Sequence, residues 1–493
     1  MREIDVPTGW RSSGEIPDHI PLAMNDVYAL HEQLPYAYFF REALSGASLE
    51  ASLAQVLTAF PVLGGRLCLN SHAIKLSEED VVPLAIGHTR VPLEEWMGAG
   101  HGVDPKTGRP QLLQLFDPLP EQPWNSRTPL ARVRVTHMAD GGTCIGVNIS
   151  HAAADAASCI QFVYCWGRQH RGLPYPIPSN NRAEVNVNGM LTAESADLMN
   201  LHDAGSHTKG SSIISQVLGF STSALGLAQA VPKPRLESTV VAHGYLLLPF
   251  SIEVLRAMKT YGASECARVL AAGGDSLDGE KSVRFVSTND MVTSAGWMLM
   301  RQLSGNQDWA MNIVVNIRGR GGTEDFGAGH GLFGNGITAA TASATTEPTS
   351  TIVELQSVAR GARAVRRALM RCYKSLPARL VASQRGVPKL PAAVGPAFCT
   401  TTWHFPLQEL AFDVSQAFEA HAPSKFGQGD YEHGQPIAFH GQPVHPLPPG
   451  ETYAGVVVPS VGMDYQLFLP VAKMAEARRS HEQLCKAFLS NID

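Results

Sequence analysis

The stretch TCIGVNISHAAADAASCIQFVYCW, running from Thr143 to Trp166, decides how this chain is read. Its opening residues put Ile145, Val147 and Ile149 on one face of an extended strand, because side chains alternate along a strand with a period of two. From Cys159 onward the apolar residues return at Phe162, Val163 and Trp166, the i, i+3, i+4, i+7 spacing of a helix. His151 therefore stands at a strand-to-helix junction. Asp155 falls where a helix cap belongs, and a carboxylate there accepts from unpaired main-chain N–H groups. An imidazole on a rigid strand end suits general-base work, since its unperturbed pKa of about 6.5 lets the neutral ring take up a proton and return it near neutral pH. Ala152, Ala153 and Ala154 read as residues too small to block access to it. A histidine followed four residues later by aspartate should arise by chance about once among 18 histidines, so its surroundings carry the weight.

Working outward, Leu130 to Thr136 predicts a partner strand, joined through the hairpin-turn residues Asp140, Gly141 and Gly142. Upstream, Ser48 to Phe60 has helical spacing, with a serine cap and Pro61 as the stop, and a turn through Gly64 and Gly65 leads into a strand at Arg66 and Leu67. The stretch from there to about Asn125 has no clear pattern. Downstream, Leu173 to about Thr239 is rich in Pro, Asn, Ser and Gly and reads as a crossover.

A second block predicts a strand at Tyr245 to Pro249, a helix from Ser251 past Met258, a loop from Glu265 to Lys281, and then the segment Val283 to Ser287. It continues with a helix from Asn289 to about Arg301, a strand from Met311 to Ile317, and a helix through Leu355, Ala359, Ala362 and Val365. A hairpin of Gly455 to Val458 with Asp464 to Leu469 and a closing helix from Val471 to Leu489 complete it. At 493 residues the chain exceeds the roughly 250–300 at which single cores stop growing. The expectation is an α/β protein of two domains, 1–172 and 240–493, joined by a linker over 173–239.

Apolar residues make up 44% of the chain and charged residues 17%, with a formal net charge of −5, which argues for a globular protein and against nucleic-acid or anionic-membrane capture. Neither a signal peptide nor a run of about 20 apolar residues is present, so a cytoplasmic location without a membrane span is expected. The eight cysteines are scattered singly and read as reduced core residues. Three familiar strings carry little. Gly329 to Gly334 matches a dinucleotide fingerprint but opens no long helix, and Gly274 to Leu277 copies a hydrolase string within a polar loop. His433, His440 and His445 sit in a Gly- and Pro-rich loop with no regular element to hold them, so no metal site is expected.

The ordered landmarks resemble those of the BAHD acyltransferase family, in its hydroxycinnamoyltransferase-like branch. They are Phe60-Pro61 with Gly65-Arg66; His151 with Asp155, the HXXXD motif; Ser287-Thr288-Asn289-Asp290; Asn316 to Arg320; Phe333-Gly334-Asn335; and Thr401-Thr402-Trp403. The resemblance implies two chloramphenicol-acetyltransferase-like domains, with a channel between them reaching His151. It implies acyl-CoA as co-substrate, a small acceptor alcohol or amine, no tightly bound cofactor, and a monomer of secondary metabolism. By the same resemblance His151 is the general base, Thr401 and Trp403 meet the developing oxyanion, and Asp155 pairs with Arg318 as a structural element. Ser287, Thr288 and Asp413 lie on the coenzyme side. The family's Asp-Phe-Gly-Trp-Gly string is broken here, since Val414 and Ser415 follow Asp413. That departure admits an alternative, a non-catalytic member of the fold that binds a partner enzyme or ligand. A carrier-protein-dependent or peptide-condensing relative would want a second histidine where Ser150 stands.

Overall fold

A computed structural model of the chain describes residues 1–11, 14, 16–23, 26, 29, 33–68, 73–97, 114–117, 119, 128–182, 243–273, 283–305, 310–319, 331–343, 353–374, 398–401, 412, 438–441, 454–459 and 462–491. The first part runs β1 (Arg2–Pro7), β2 (His19–Pro21), β3 (Gln33–Phe40), α1 (Gly46–Leu57), β4 (Arg66–Cys68), β5 (Ala73–Lys75), β6 (Val81–His88), α2 (Leu93–Met97), β7 (Ala131–His137), β8 (Thr143–Ser150) and α3 (Ala156–His170). The second runs β9 (His243–Phe250), α4 (Ile252–Ala271), α5 (Thr288–Ser304), β10 (Met311–Asn316), β11 (Ile337–Ala342), α6 (Leu355–Lys374), β12 (Phe398–Thr401), β13 (Ala438–Gly441), β14 (Ala454–Pro459), β15 (Met463–Pro470) and α7 (Met474–Leu489).

Among the described residues two six-stranded sheets form, in the orders β1-β6-β7-β8-β3-β13 and β11-β10-β12-β14-β15-β9, beside a small β2-β5-β4 sheet. The alternation in β8 works as its pattern predicts: Ile145, Val147 and Ile149 enter a core shared with Leu49, Leu53, Val56 and Leu57 of α1 and with Phe162 and Trp166 of α3. The opposite face is covered as well, because Ala37 and Phe39 of β3 pack with Leu93, Trp96, Leu115 and Phe116. The strand that carries the site residue is thus buried on both sides, which fixes its register. In the second sheet, β15 pairs with β9 and β14 while α5 lies fully against the core. Gly296 of α5 lets the helix approach so closely that a Cβ there would fall 2.1 Å from Cζ of Tyr465.

Several expectations change. The cap of α1 is Ser45, whose Oγ accepts from Ser48 N, so the helix begins a turn earlier than expected. The predicted loop from Glu265 is helical as far as Ala271, where Arg268 bonds Glu265 one turn back and Cys266 is buried. The patternless stretch contains β5, β6 and α2; Pro83 disguises β6, where it stands opposite Asp5 of β1 and one residue before pairing with β7 begins at Leu84. His440 is not in an irregular loop but on β13, opposite Ala37 of β3, while His433 and His445 lie outside the described residues. No group of metal-ligand side chains is present among the described residues. Nor is any described helix long and apolar enough to cross a membrane. Cys144, Cys159, Cys165, Cys266 and Cys372 are buried and in the thiol form.

Two later segments return to the first sheet. β13 pairs antiparallel with β3, and Phe333, fully buried, sets its ring 5.0 Å from that of Phe60 in an edge-on contact. Phe333→Ala is expected to cost about 3–5 kcal/mol by leaving a cavity in that core. Guanidinium denaturation should show the loss as a lowered midpoint.

Candidate active site

Beyond Ser150 the chain turns sharply. Ala153 N donates to Ser150 O at 2.8 Å, and Asp155 resumes an extended backbone before α3. Asp155 Oδ1 accepts from Ser158 N at 2.9 Å, which caps the helix. Ala152, Ala153 and Ala154 have no exposed surface, so their smallness serves close packing of the turn and not access to His151. His151 itself retains 8% exposure.

The carboxylate of Asp155 has a second task. Arg318 grips it with two parallel bonds, NH1 to Oδ2 at 2.7 Å and NH2 to Oδ1 at 3.0 Å, the strong fork geometry of arginine with a carboxylate. The remaining guanidinium donors reach Leu332 O, Gly334 O, Ser158 Oγ and Asn316 Oδ1. Asp155 Oδ2 also accepts from Gly336 N at 2.9 Å. Taking two charges from water is expensive, and the filled donor set offsets that expense. Gly336 permits it, because a Cβ there would meet Arg318 Cζ at 2.9 Å. This cluster binds the end of β8 to the segment between β10 and β11, and so joins the two sheets.

Burial pushes the imidazole of His151 below its ordinary pKa. Its own main-chain carbonyl, Asp155, the side chain of Asn335 and Asp26 pull the other way. At neutral pH the ring is therefore neutral, the form in which it can accept a proton. Its carbonyl accepts from Asn335 Nδ2 at 2.6 Å.

Of the residues singled out from the sequence, His151, Asp155 and Arg318 come together. Ser287 and Thr288 stand elsewhere, at the start of α5, where Ser287 Oγ accepts from Asp290 N and Asp290 Oδ2 accepts from Ser287 N. Arg366 pairs with Asp290 beside them. Thr401 ends β12 in parallel register with Val457 of β14. Trp403 and Asp413 lie outside the described residues, though Phe412, just before Asp413, packs edge-on against Trp166 at 5.0 Å. Asp26, Arg182 and Asn335 were given no role from the sequence. Asp26 and Arg182 are isolated charges in segments without periodicity, and only the fold brings them beside Asn335.

Two mixed sheets with flanking helices, clasped at a His-x-x-x-Asp turn, define a chloramphenicol-acetyltransferase-like α/β fold. Solved structures share it: vinorine synthase aligns with a TM-score of 0.58 at 16% identity over 96% of this chain and 95% of its own. TRI101 of F. sporotrichioides, complexed with coenzyme A and T-2, aligns with a TM-score of 0.60 at 14% identity over 96% of this chain and 99% of its own. The model of the Transferase family matches residues 12–413, and the chain belongs to that family, the BAHD acyltransferases. Among curated relatives, phenolic glucoside malonyltransferase 1 of Bemisia tabaci is 29% identical over 33% of this chain and 37% of its own length. Shikimate O-hydroxycinnamoyltransferase of Nicotiana tabacum is 28% identical over 29% and 33%. The matches span 33% to 51% of the length of these curated relatives.

Arg318→Met leaves Asp155 buried without its counter-charge and is expected to destabilise the protein by about 3–5 kcal/mol. Pairing it with Asp155→Asn should lose less than the sum of the two single changes. A double-mutant cycle in chemical denaturation measures that coupling.

Proposed function

We propose that this chain transfers an acyl group from an acyl-CoA thioester to a hydroxyl or amine of a small-molecule acceptor, with His151 as general base. The observation that carries the reading is the buried His151 imidazole at the end of a strand, beside the turn that the Asp155–Arg318 pair holds; burial pushes its pKa down, toward the neutral form. Membership of the Transferase family supports it, as does the fold shared with a protein captured with coenzyme A.

In this reaction both substrates are bound together. His151 takes the proton of the acceptor O–H or N–H as the new bond to the thioester carbonyl carbon forms. The carbon–sulfur bond then breaks, and the imidazolium returns its proton to the departing thiolate, so that free coenzyme A thiol and the acylated acceptor leave. No acyl-enzyme is formed. Thr401 and Trp403 supply donors to the developing oxyanion, each such donor typically being worth about 3–4 kcal/mol of barrier. Ser287, Thr288 and Asp413 border the coenzyme side. Asp155 holds the turn and does not relay charge, because both its oxygens are committed to Arg318, Ser158 N and Gly336 N. The remainder of the proposal is a monomer with domains at 1–172 and 240–493, acting in the cytoplasm in secondary metabolism.

The test is release of free thiol from a panel of acyl-CoA donors with mixed phenol, alcohol and amine acceptors. Wild-type protein should release thiol, and His151→Ala should abolish the release while keeping its melting temperature. Failure of every donor to bind or turn over would favour a ligand- or partner-binding member of the fold. Because protonation disables the base, activity should fall on the acid side. The depressed pKa places that limb below the ordinary imidazole value of about 6.5. A kcat/KM profile with its acid limb above 6.5 is incompatible with this base.

A further inference from the structure

A second buried aspartate–arginine pair lies beside the first, and acyl transfer by His151 does not use it. Asp26 is 0% exposed and Arg182 is 3% exposed, with Arg182 NH1 2.7 Å from Asp26 Oδ1. Asp26 Oδ2 accepts from Ala23 N at 2.8 Å, and Arg182 NH2 donates to the carbonyl of Ala153 at 2.7 Å. Into this pair reaches Asn335, 1% exposed, whose Nδ2 donates both to Asp26 Oδ1 at 2.8 Å and to the carbonyl of His151 at 2.6 Å. The circuit runs from His151 through Asn335, Asp26 and Arg182 back to Ala153, gripping two carbonyls of the three-alanine turn from one side. Gly334 makes room for it, since a Cβ there would stand 2.8 Å from Arg182 NH1.

A buried ion pair of this kind gains little stability over apolar packing of the same volume. What it does supply is orientation. With Nδ2 facing a carboxylate and a carbonyl, the Asn335 amide cannot turn over without pointing its oxygen at two acceptors. We infer that Asn335 is a positioning residue for His151, its amide held in one orientation by the Asp26–Arg182 pair so that the main chain beneath the imidazole is fixed. The inference rests on the role given to His151 above and extends it to three residues from distant parts of the chain. Among the described residues, the charged groups that act on the ring are Asp26 and Asp155, paired with Arg182 and Arg318. The Asn335 side chain and both carboxylates favour the protonated ring, against burial.

The experiment compares wild type, Asn335→Ala, Asp26→Asn and His151→Ala in the full chain. Steady-state kinetics are combined with NMR titration of ring-labelled histidine, the His151 signal being assigned by its loss in His151→Ala. In Asn335→Ala, kcat should fall about 10- to 100-fold, the usual range for loss of a group that orients a functional side chain. KM for acyl-CoA should change less than twofold, and His151 should titrate at lower pH than in wild type. Asp26→Asn keeps an acceptor for Asn335 and, by removal of the charge, should also lower the His151 titration; if Asn335→Ala does not fold, Asn335→Ser carries the test with the same expected fall in kcat and the same titration shift. A folded Asn335→Ala with wild-type kcat and an unmoved His151 titration overturns the inference. Thiol release that survives in His151→Ala overturns the catalytic reading instead, while the titration shift still reports whether Asn335 holds His151.

Discussion

The ion pair between Asp155 and Arg318 is the constraint on which the rest of the site depends. One carboxylate caps α3, receives both arms of a guanidinium and accepts from Gly336 N, so three parts of the chain meet on two oxygen atoms. The Arg318 guanidinium in turn reaches Leu332 and Gly334 carbonyls, which draws the segment between β10 and β11 against α3. Without that segment neither Phe333 nor Asn335 would sit where it does. Electrostatics and packing are therefore one device here: the charges fix the backbone, and the backbone sets the apolar contacts.

His151 shows how such a device shapes chemistry without touching it. Its ring is depressed in pKa because it is buried, and it is buried because the alanine turn packs with no exposed surface. Asp155, Asn335 and Asp26 pull the pKa up again, but burial outweighs them and leaves it below the ordinary imidazole value. The packing of the turn thus sets the proton affinity of the ring.

Much of this was legible in the residues. The alternation of Ile145, Val147 and Ile149, the helical spacing beyond Asp155 and the turn at Gly141 located the His151 junction, because the large apolar side chains of β8 all enter one core while the smaller ones between them lie against the other. The pairing of Arg318 with Asp155 was legible only through family resemblance, since 163 positions separate them and no local rule spans that gap. Asp26 and Arg182 gave no signal: single charges in aperiodic segments look like solvated ones until a fold encloses them. The strand β6 was hidden by Pro83, which reads as a breaker until β1 is known to pair alongside it and β7 from the next residue on. The alanines suggest access when read alone, because small size gives access in an open site and close approach in a packed one.

The pairing of β13 with β3 has a consequence for how the molecule is made. β3, with Leu34 to Phe40 buried throughout, is the most apolar edge of the first sheet, and its cover is Ala438–Gly441, about four hundred residues downstream. During synthesis the amino-terminal half emerges with that edge bare and waits for nearly the whole polypeptide before it is sealed. At roughly 5–20 residues per second the interval is tens of seconds, long enough for chaperones to matter. The halves of this chain therefore mature jointly, and a ribosome that stalls before residue 438 releases a sticky, unfinished sheet.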